Sequence, residues 1–133
     1  MNFKLPQALK DHMLDHALET PEVEVCGLLA TKGVEPVSLY RVPNIAADPS
    51  TTFYMDPQAQ IAALKVMRES GEELCGIYHS HPNSEALPSS RDRQQAAYPG
   101  TAYLIVSLMN AEPEIGSFIF DGNAFHDLAL DIV

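Results

Sequence analysis

The stretch His79-Ser80-His81-Pro82 constrains this chain more than any other. It closes the apolar run Leu74-Cys75-Gly76-Ile77-Tyr78, and a strand there sends alternate side chains to one face, so both imidazoles can reach a common point. Pro82 ends ladder pairing. The polar loop that follows returns at Ser89-Ser90-Arg91-Asp92, where a serine with an acid three positions later marks a helix start and carries a carboxylate back toward the imidazoles. Two neutral nitrogens and one carboxylate oxygen form a donor set for zinc, and three protein ligands leave a fourth tetrahedral position for water. Spacing alone leaves plainer readings open: strand-end imidazoles without a metal, and Ser89 with Asp92 as a helix cap only.

The rest of the chain supplies elements to hold such a loop. From Pro6 to Leu18, the residues Leu9, Met13 and Ala17, with Leu14 and Leu18, recur at helical spacing, and Pro6 suits a first helical position. Within that helix His12 and His16 share a face at the spacing of a zinc pair. Asp15 stands where an inverted zincin motif has Glu, however, and both histidines are read as solvated. Val23 to Thr31 is almost continuously apolar after Glu24, which predicts a central strand covered on both faces. Glu24 lies at its entry, and Glu22 would face the same side, so alternation does not choose between them.

Lys32-Gly33 turns the chain into a strand over Val37–Val42, and Pro43–Ser50 is loop. Phe53 and Met55 predict a short strand running into Asp56-Pro57, an N-cap with proline at the first turn of a helix. Ile61, Leu64, Val66 and Met67 give that helix its apolar side, and Gly71 ends it. A short helix from Ser90 to about Ala97 and a buried strand over Thr101–Met109 follow the histidine loop. Ile115–Phe120, the turn Asp121-Gly122-Asn123, and Ala124 to about Ile132 predict a terminal β-hairpin. Strands alternating with helices and closing on a hairpin give an α/β class with a mixed sheet.

Composition narrows the partners. A formal net charge of -10 with only eight Lys and Arg argues against a nucleic-acid partner and favours a neutral or basic one. No apolar run approaches the roughly 18 residues that cross a bilayer, and Met1–Pro6 lacks the pattern of a signal peptide, so no membrane and a cytoplasmic location are expected. At 133 residues with 46% apolar content, residues 1–133 are expected to form one domain. Cys26 and Cys75 each precede a glycine inside an apolar run and are read as buried thiols, not a disulfide.

The run His-x-His, seven residues, Ser, two residues, Asp resembles without a gap the signature of the JAMM (MPN+, Mov34/PAD-1) zinc metalloproteases, with Gly76–Pro82 similar to its usual lead-in. That family also has a glutamate on an earlier strand in a Glu-x-x-Gly setting, which Glu24-Val25-Cys26-Gly27 matches. The resemblance extends to Phe53-Tyr54-Met55-Asp56-Pro57 and to Tyr103–Val106, and so covers most of the chain. It implies a mixed, curved sheet flanked by helices, with the cytidine-deaminase-like core of that family. It implies His79, His81 and Asp92 as ligands of one Zn2+, Glu24 as the base that moves the water's proton, and Ser89 beside the reacting carbonyl.

A small, bacterial-type member resembles enzymes that cleave after the C-terminal glycines of ubiquitin-like or sulfur-carrier proteins. The segments Pro43–Thr52 and Asn83–Pro88 are too short for the insertions with which larger relatives read a ubiquitin linkage. Two other classes compete. A metal-free MPN-type binding or scaffold module is disfavoured because every motif position is present. A cysteine hydrolase needs Cys75 on the strand face of Ile77, His79 and His81, yet like-oriented neighbours lie about 7 Å apart and Cys75 is two such steps from His79.

Overall fold

The computed structural model describes residues 2–133. In chain order the elements are β1 (Asn2–Leu5), α1 (Gln7–Glu19), β2 (Cys26–Thr31), β3 (Pro36–Val42), α2 (Pro57–Glu69), β4 (Glu73–His81), α3 (Ser90–Gln95), β5 (Ala102–Ser107), β6 (Glu114–Phe120), β7 (Phe125–Asp127) and β8 (Ala129–Ile132). Six strands form one sheet in the order β3-β2-β4-β5-β6-β7. Only the β4–β5 pair is parallel, so the sheet is mixed, as the alternation of strands and helices predicts.

The sheet is covered on both faces because its central strands are apolar on both. Leu29, Tyr78, Leu104 and Val106 pack with Met13 and Ala17 of α1 on one face. Leu28, Ala30, Ile77 and Tyr103 pack with Ala63 and Met67 of α2 on the other. Asp56 accepts the Gln58 amide and Pro57 opens α2, which gives the helix the start its sequence predicts. Its inward stripe runs through Ala63 and Met67, whereas Ile61 and Val66, expected inside, are 66% and 47% exposed. The helix presents Ala63 and Met67 to the sheet with Leu64 packed at their edge, and Ile61 and Val66 turn outward.

Four further local expectations change in three dimensions. Phe53–Met55 is not a strand: a single bridge joins Asn44 to Met55, and the Asn44 side chain accepts the Ala46 and Tyr54 amides in place of a ladder. The second arm of the hairpin stops at Asp127, because Leu128 turns inward and its amide donates to the Ser117 carbonyl. Residues 129–132 then pair in parallel with β1, a two-stranded unit that ties the two ends of the chain together. Finally, His16 is half-buried, its Nδ1 lying 2.7 Å from the Tyr78 hydroxyl, while His12 is exposed. Burial, aided by the Arg41 charge, lowers the His16 pKa to about 4, so it is the neutral partner of a tyrosine and not a solvated imidazole.

One irregularity in β4 bears directly on the site. The β2–β4 register shifts so that Leu29 opposes Gly76 and Ala30 opposes Leu74, which leaves Cys75 as an extra residue. Alternation breaks there. Cys75 packs on the α1 face and donates to the Leu29 carbonyl at 3.4 Å, while Ile77 packs on the α2 face. Cys75 therefore does not share a face with His79 and His81, contrary to simple counting from the strand end. Burial pushes its thiol, and that of Cys26, up to about 12, and both cysteines are free.

No helix among the described residues is long and apolar enough to cross a membrane.

Candidate metal centre

His79 and His81 end β4 with their side chains on the α2 face, both 2% exposed. The chain then leaves the sheet at Pro82 and is held against β5 and β6. The Ser107 hydroxyl donates to the Ser84 carbonyl at 2.6 Å, and the Ala86 carbonyl approaches so near Gly116 that a β-carbon there would overlap it. These contacts bring the loop back to Ser89, which caps α3 through a reciprocal pair: its hydroxyl accepts the Asp92 amide at 3.0 Å and its own amide donates to Asp92 Oδ2 at 2.9 Å. The box aims the Asp92 carboxylate into the sheet.

Three donor atoms converge there. His79 Nε2 lies 3.1 Å from His81 Nε2, and Asp92 Oδ2 lies 3.1 and 3.2 Å from the two nitrogens. For bonds of about 2.0–2.2 Å in a tetrahedron, ligand atoms stand roughly 3.3 Å apart, so this triangle has the size of one face of such a site. Proton inventory points the same way. His81 Nδ1 lies 2.7 Å from the Glu85 carbonyl, which can only accept, so Nδ1 holds the proton and Nε2 presents its lone pair to the carboxylate. In the neutral ring, two acceptors facing each other at that distance call for a cation between them: a second proton on Nε2, which makes His81 a donor to Asp92, or a metal ion in its place. The Glu85 carbonyl is also the orienting contact that a ligating imidazole is expected to have. His79 is held differently: its ring stacks on Phe53 with centroids 4.5 Å apart, and its buried Nδ1 has no hydrogen-bond partner among the described residues.

Electrostatics follow from this crowding. Burial alone would raise the Asp92 pKa, but the hydrogen bonds from His79 and His81 and the Ser89 amide outweigh it and hold the carboxyl well below the usual range. Burial would likewise lower His81, yet the Asp92 and Glu85 contacts raise it, whereas in fully enclosed His79 burial wins and the pKa falls.

Glu24 arrives from elsewhere in the chain. In the antiparallel β2–β4 register Cys26 opposes His79, and continuing the ladder sets Glu24 across from His81. Single ligand-capable atoms of Glu24, His79 and His81 all lie within 4.8 Å of one another. Glu24 is 4% exposed, and its Oε1 has no hydrogen-bond partner among the described residues, while Glu22 is exposed; burial separates two acids that alternation left equivalent. Burial pushes the Glu24 carboxyl up to about 8, with the His81 charge opposing and the Asp92 charge adding to the rise.

Residues not singled out by sequence hold Glu24 in place. Ser80, between the two histidines and fully buried, accepts the Val25 amide at 2.9 Å and donates its own amide to the Val25 carbonyl at 3.0 Å. Asn44 donates to the Glu24 carbonyl at 2.9 Å, and the Glu24 amide donates to the Pro49 carbonyl at 2.7 Å. The alternation that sends His79 and His81 to one face sends Ser80 to the other, and that was the available signal. Arg91 and Glu85 side chains make no contact with the converging atoms among the hydrogen bonds of the site; Glu85 acts through its backbone.

The arrangement gathers side chains that could hold a metal ion, with a buried acid among them. Residues 6–120 match the family model described as prokaryotic homologs of the JAB domain. The chain is similar to a desampylase of Haloferax volcanii, 33% identical over 92% of this chain and 91% of that protein. It is also similar to a CysO-cysteine peptidase of Mycobacterium tuberculosis, 34% identical over 74% of this chain and 68% of that protein. A solution structure of a protein from Desulfitobacterium hafniense superposes with a TM-score of 0.87 at 32% identity, covering 98% of this chain and 92% of that one.

Proposed function

The chain belongs to the family of prokaryotic homologs of the JAB domain, and from that premise we propose that it is a zinc-dependent metallopeptidase. Its reaction is hydrolysis of the peptide or isopeptide bond after the C-terminal glycines of a small ubiquitin-like or sulfur-carrier protein. The observation that carries this reading is the convergence of His79 Nε2, His81 Nε2 and Asp92 Oδ2 within 3.2 Å, with buried Glu24 alongside. The names of the two relatives, a desampylase and a peptidase acting on CysO-cysteine, support the substrate class.

In this reading His79, His81 and Asp92 hold the ion. Zinc bound there supplies a water acidified to a pKa of about 7 and a Lewis acid for the carbonyl. Glu24, enclosed and without a competing partner at Oε1, takes the proton of the attacking water and delivers it to the departing nitrogen. Burial makes its carboxylate strongly basic, up to about 8 in the metal-free chain, and the charge of a zinc bound beside it would draw that value down toward the range of a base that works near neutrality. The Ser89 hydroxyl accepts from the Asp92 amide, which leaves its own proton to donate to the developing oxyanion. Ser80, Asn44 and the Pro49 carbonyl fix the backbone around Glu24, so the acid does not have to be ordered at the moment of reaction.

The test uses Glu24→Gln, which keeps the three metal-holding side chains and removes the proton carrier. Immobilised and loaded with zinc, it is expected to retain small proteins ending in Gly-Gly from a lysate of the source cell. Retention of none, with full zinc content, would replace this reading with a general peptidase or an inactive binding module.

A further inference from the structure

A cavity of about 450 Å³ opens directly beside the converging donors, on the same face of the sheet. Ile77 and Ile105 form its floor, Phe53 and Met55 one wall, Tyr98 and Phe125 the other. His79 and Asp92 belong to its lining, so whatever fills it sits next to the bond being cut. Among the described residues, Asp92 is the only Asp, Glu, Lys or Arg lining it, and that carboxylate is committed to the two imidazoles. The walls are braced: Gln60 Nε2 donates to the Tyr98 hydroxyl at 3.0 Å across the gap between α2 and the segment after α3. The Ala97 and Tyr98 amides donate to the Tyr103 hydroxyl at 3.3 and 3.2 Å, so these polar groups are paired, and the rest of the lining is mostly apolar.

We propose that this cavity receives the side chain of the leaving residue, and that the enzyme prefers a large apolar or aromatic residue immediately after the glycines. The inference rests on the function proposed above. On the acyl side of the cut bond stands glycine, which has no side chain to place there. The residue before the two glycines is two positions from the scissile carbonyl, about 7 Å along an extended chain. The first residue after the cut is the nearest that can fill a cavity lined by the metal-holding groups themselves. An acidic leaving residue is disfavoured, since no Lys or Arg among the described residues lines the cavity and a carboxylate there would be buried unpaired or drawn onto the metal.

The experiment uses the zinc-loaded full chain and decapeptides ending in Gly-Gly-X, with X as Phe, Met, Gly or Asp, cleavage being followed by mass spectrometry. Burial of a large apolar side chain predicts kcat/KM for Phe and Met about ten- to a hundredfold above Gly, with Asp below Gly. Ala96→Phe, which fills the cavity from its lining, is expected to bring the Phe/Gly ratio close to one. A readout independent of turnover is the titration of the metal-free chain with phenylalaninamide, which should shift the Ile77 and Ile105 methyl resonances while glycinamide does not. Equal cleavage of all four peptides overturns the inference and leaves the proposed function standing. So does a rate that follows the residue before the glycines, which would assign the cavity to the carrier's tail. Failure to cut any Gly-Gly peptide at full zinc content overturns the proposed function, and this inference with it.

Discussion

Glu24→Gln should change stability and activity in opposite directions, and the size of the first effect follows from the structure. Glu24 is 4% exposed, and burial raises its pKa from 4.5 to about 8. A carboxyl whose folded-state pKa lies above its unfolded value binds its proton more tightly when folded, so it favours the native state below pH 4.5. That advantage is lost as pH rises toward 8. Between those limits the loss is about 1.4 kcal/mol per pH unit, or roughly 3 kcal/mol from pH 5 to pH 7.5. Glutamine has no proton to lose and fits the same volume. Urea unfolding of the metal-free proteins should therefore show the variant gaining about 3 kcal/mol over the wild type across that interval. The zinc-loaded variant should meanwhile lose on the order of 10²–10⁴ in turnover, since proton transfer is removed and the metal-holding groups are kept. Parallel stability curves for the two proteins would refute the argument, because they would mean that Glu24 ionises as freely when folded as when unfolded. Undiminished turnover would show that another group is the base.

Other perturbations probe the site and its frame. His81→Ala should lose stoichiometric zinc by atomic absorption, and a normal content would remove this residue from the metal-holding set. In the wild type, 1,10-phenanthroline should stop turnover while iodoacetamide does not, because burial holds both thiols at about 12; inhibition by the alkylating agent alone would reverse the assignment. Ser89→Ala removes the acceptor for the Asp92 amide, which should lower stability by about 1 kcal/mol, and turnover should fall roughly 10²–10³, with Ser89→Thr restoring most of both. A fall in stability alone would leave Ser89 as a cap. Gly27→Ala places a β-carbon against the Tyr78 ring and hydroxyl and 2.6 Å from the Tyr40 carbonyl oxygen, so a loss of about 3 kcal/mol is expected by thermal melting. An unchanged midpoint would mean that the Tyr78 ring, bonded to His16, moves aside freely.

Much of the site is readable because its parts are local. Strand alternation alone brings His79 and His81 to one face, Pro82 alone ends the ladder, and a serine–acid pair three apart alone makes a reciprocal helix cap. Each of these depends on geometry within a few residues. The central burial of β2 and the start of α2 at Asp56-Pro57 are legible for the same reason. Where the reading fails, the deciding contact is distant in sequence. Counting from the strand end puts Cys75 on the face of the histidines, two steps from His79, but a bulge against β2 turns it to the opposite face. Hydrophobic spacing places Ile61 and Val66 inside, but the sheet selects the stripe through Ala63 and Met67.

The amino-acid order by itself thus determined which stretch can gather two imidazoles and a carboxylate, since backbone periodicity and capping act over one strand and one turn. Strand alternation left Glu22 and Glu24 equivalent, and the Glu-x-x-Gly resemblance favoured Glu24. The physical reason lies in the tertiary structure, where the cross-strand register sets Glu24 opposite His81 and leaves Glu22 exposed. Only the tertiary structure joined β1 to β8 and shaped the apolar cavity beside the donors, whose walls come from the segment leading into α2, the segment after α3 and β7. Such features arise from packing between elements remote along the chain, where a residue's surroundings are fixed by what folds against it and not by its neighbours in sequence.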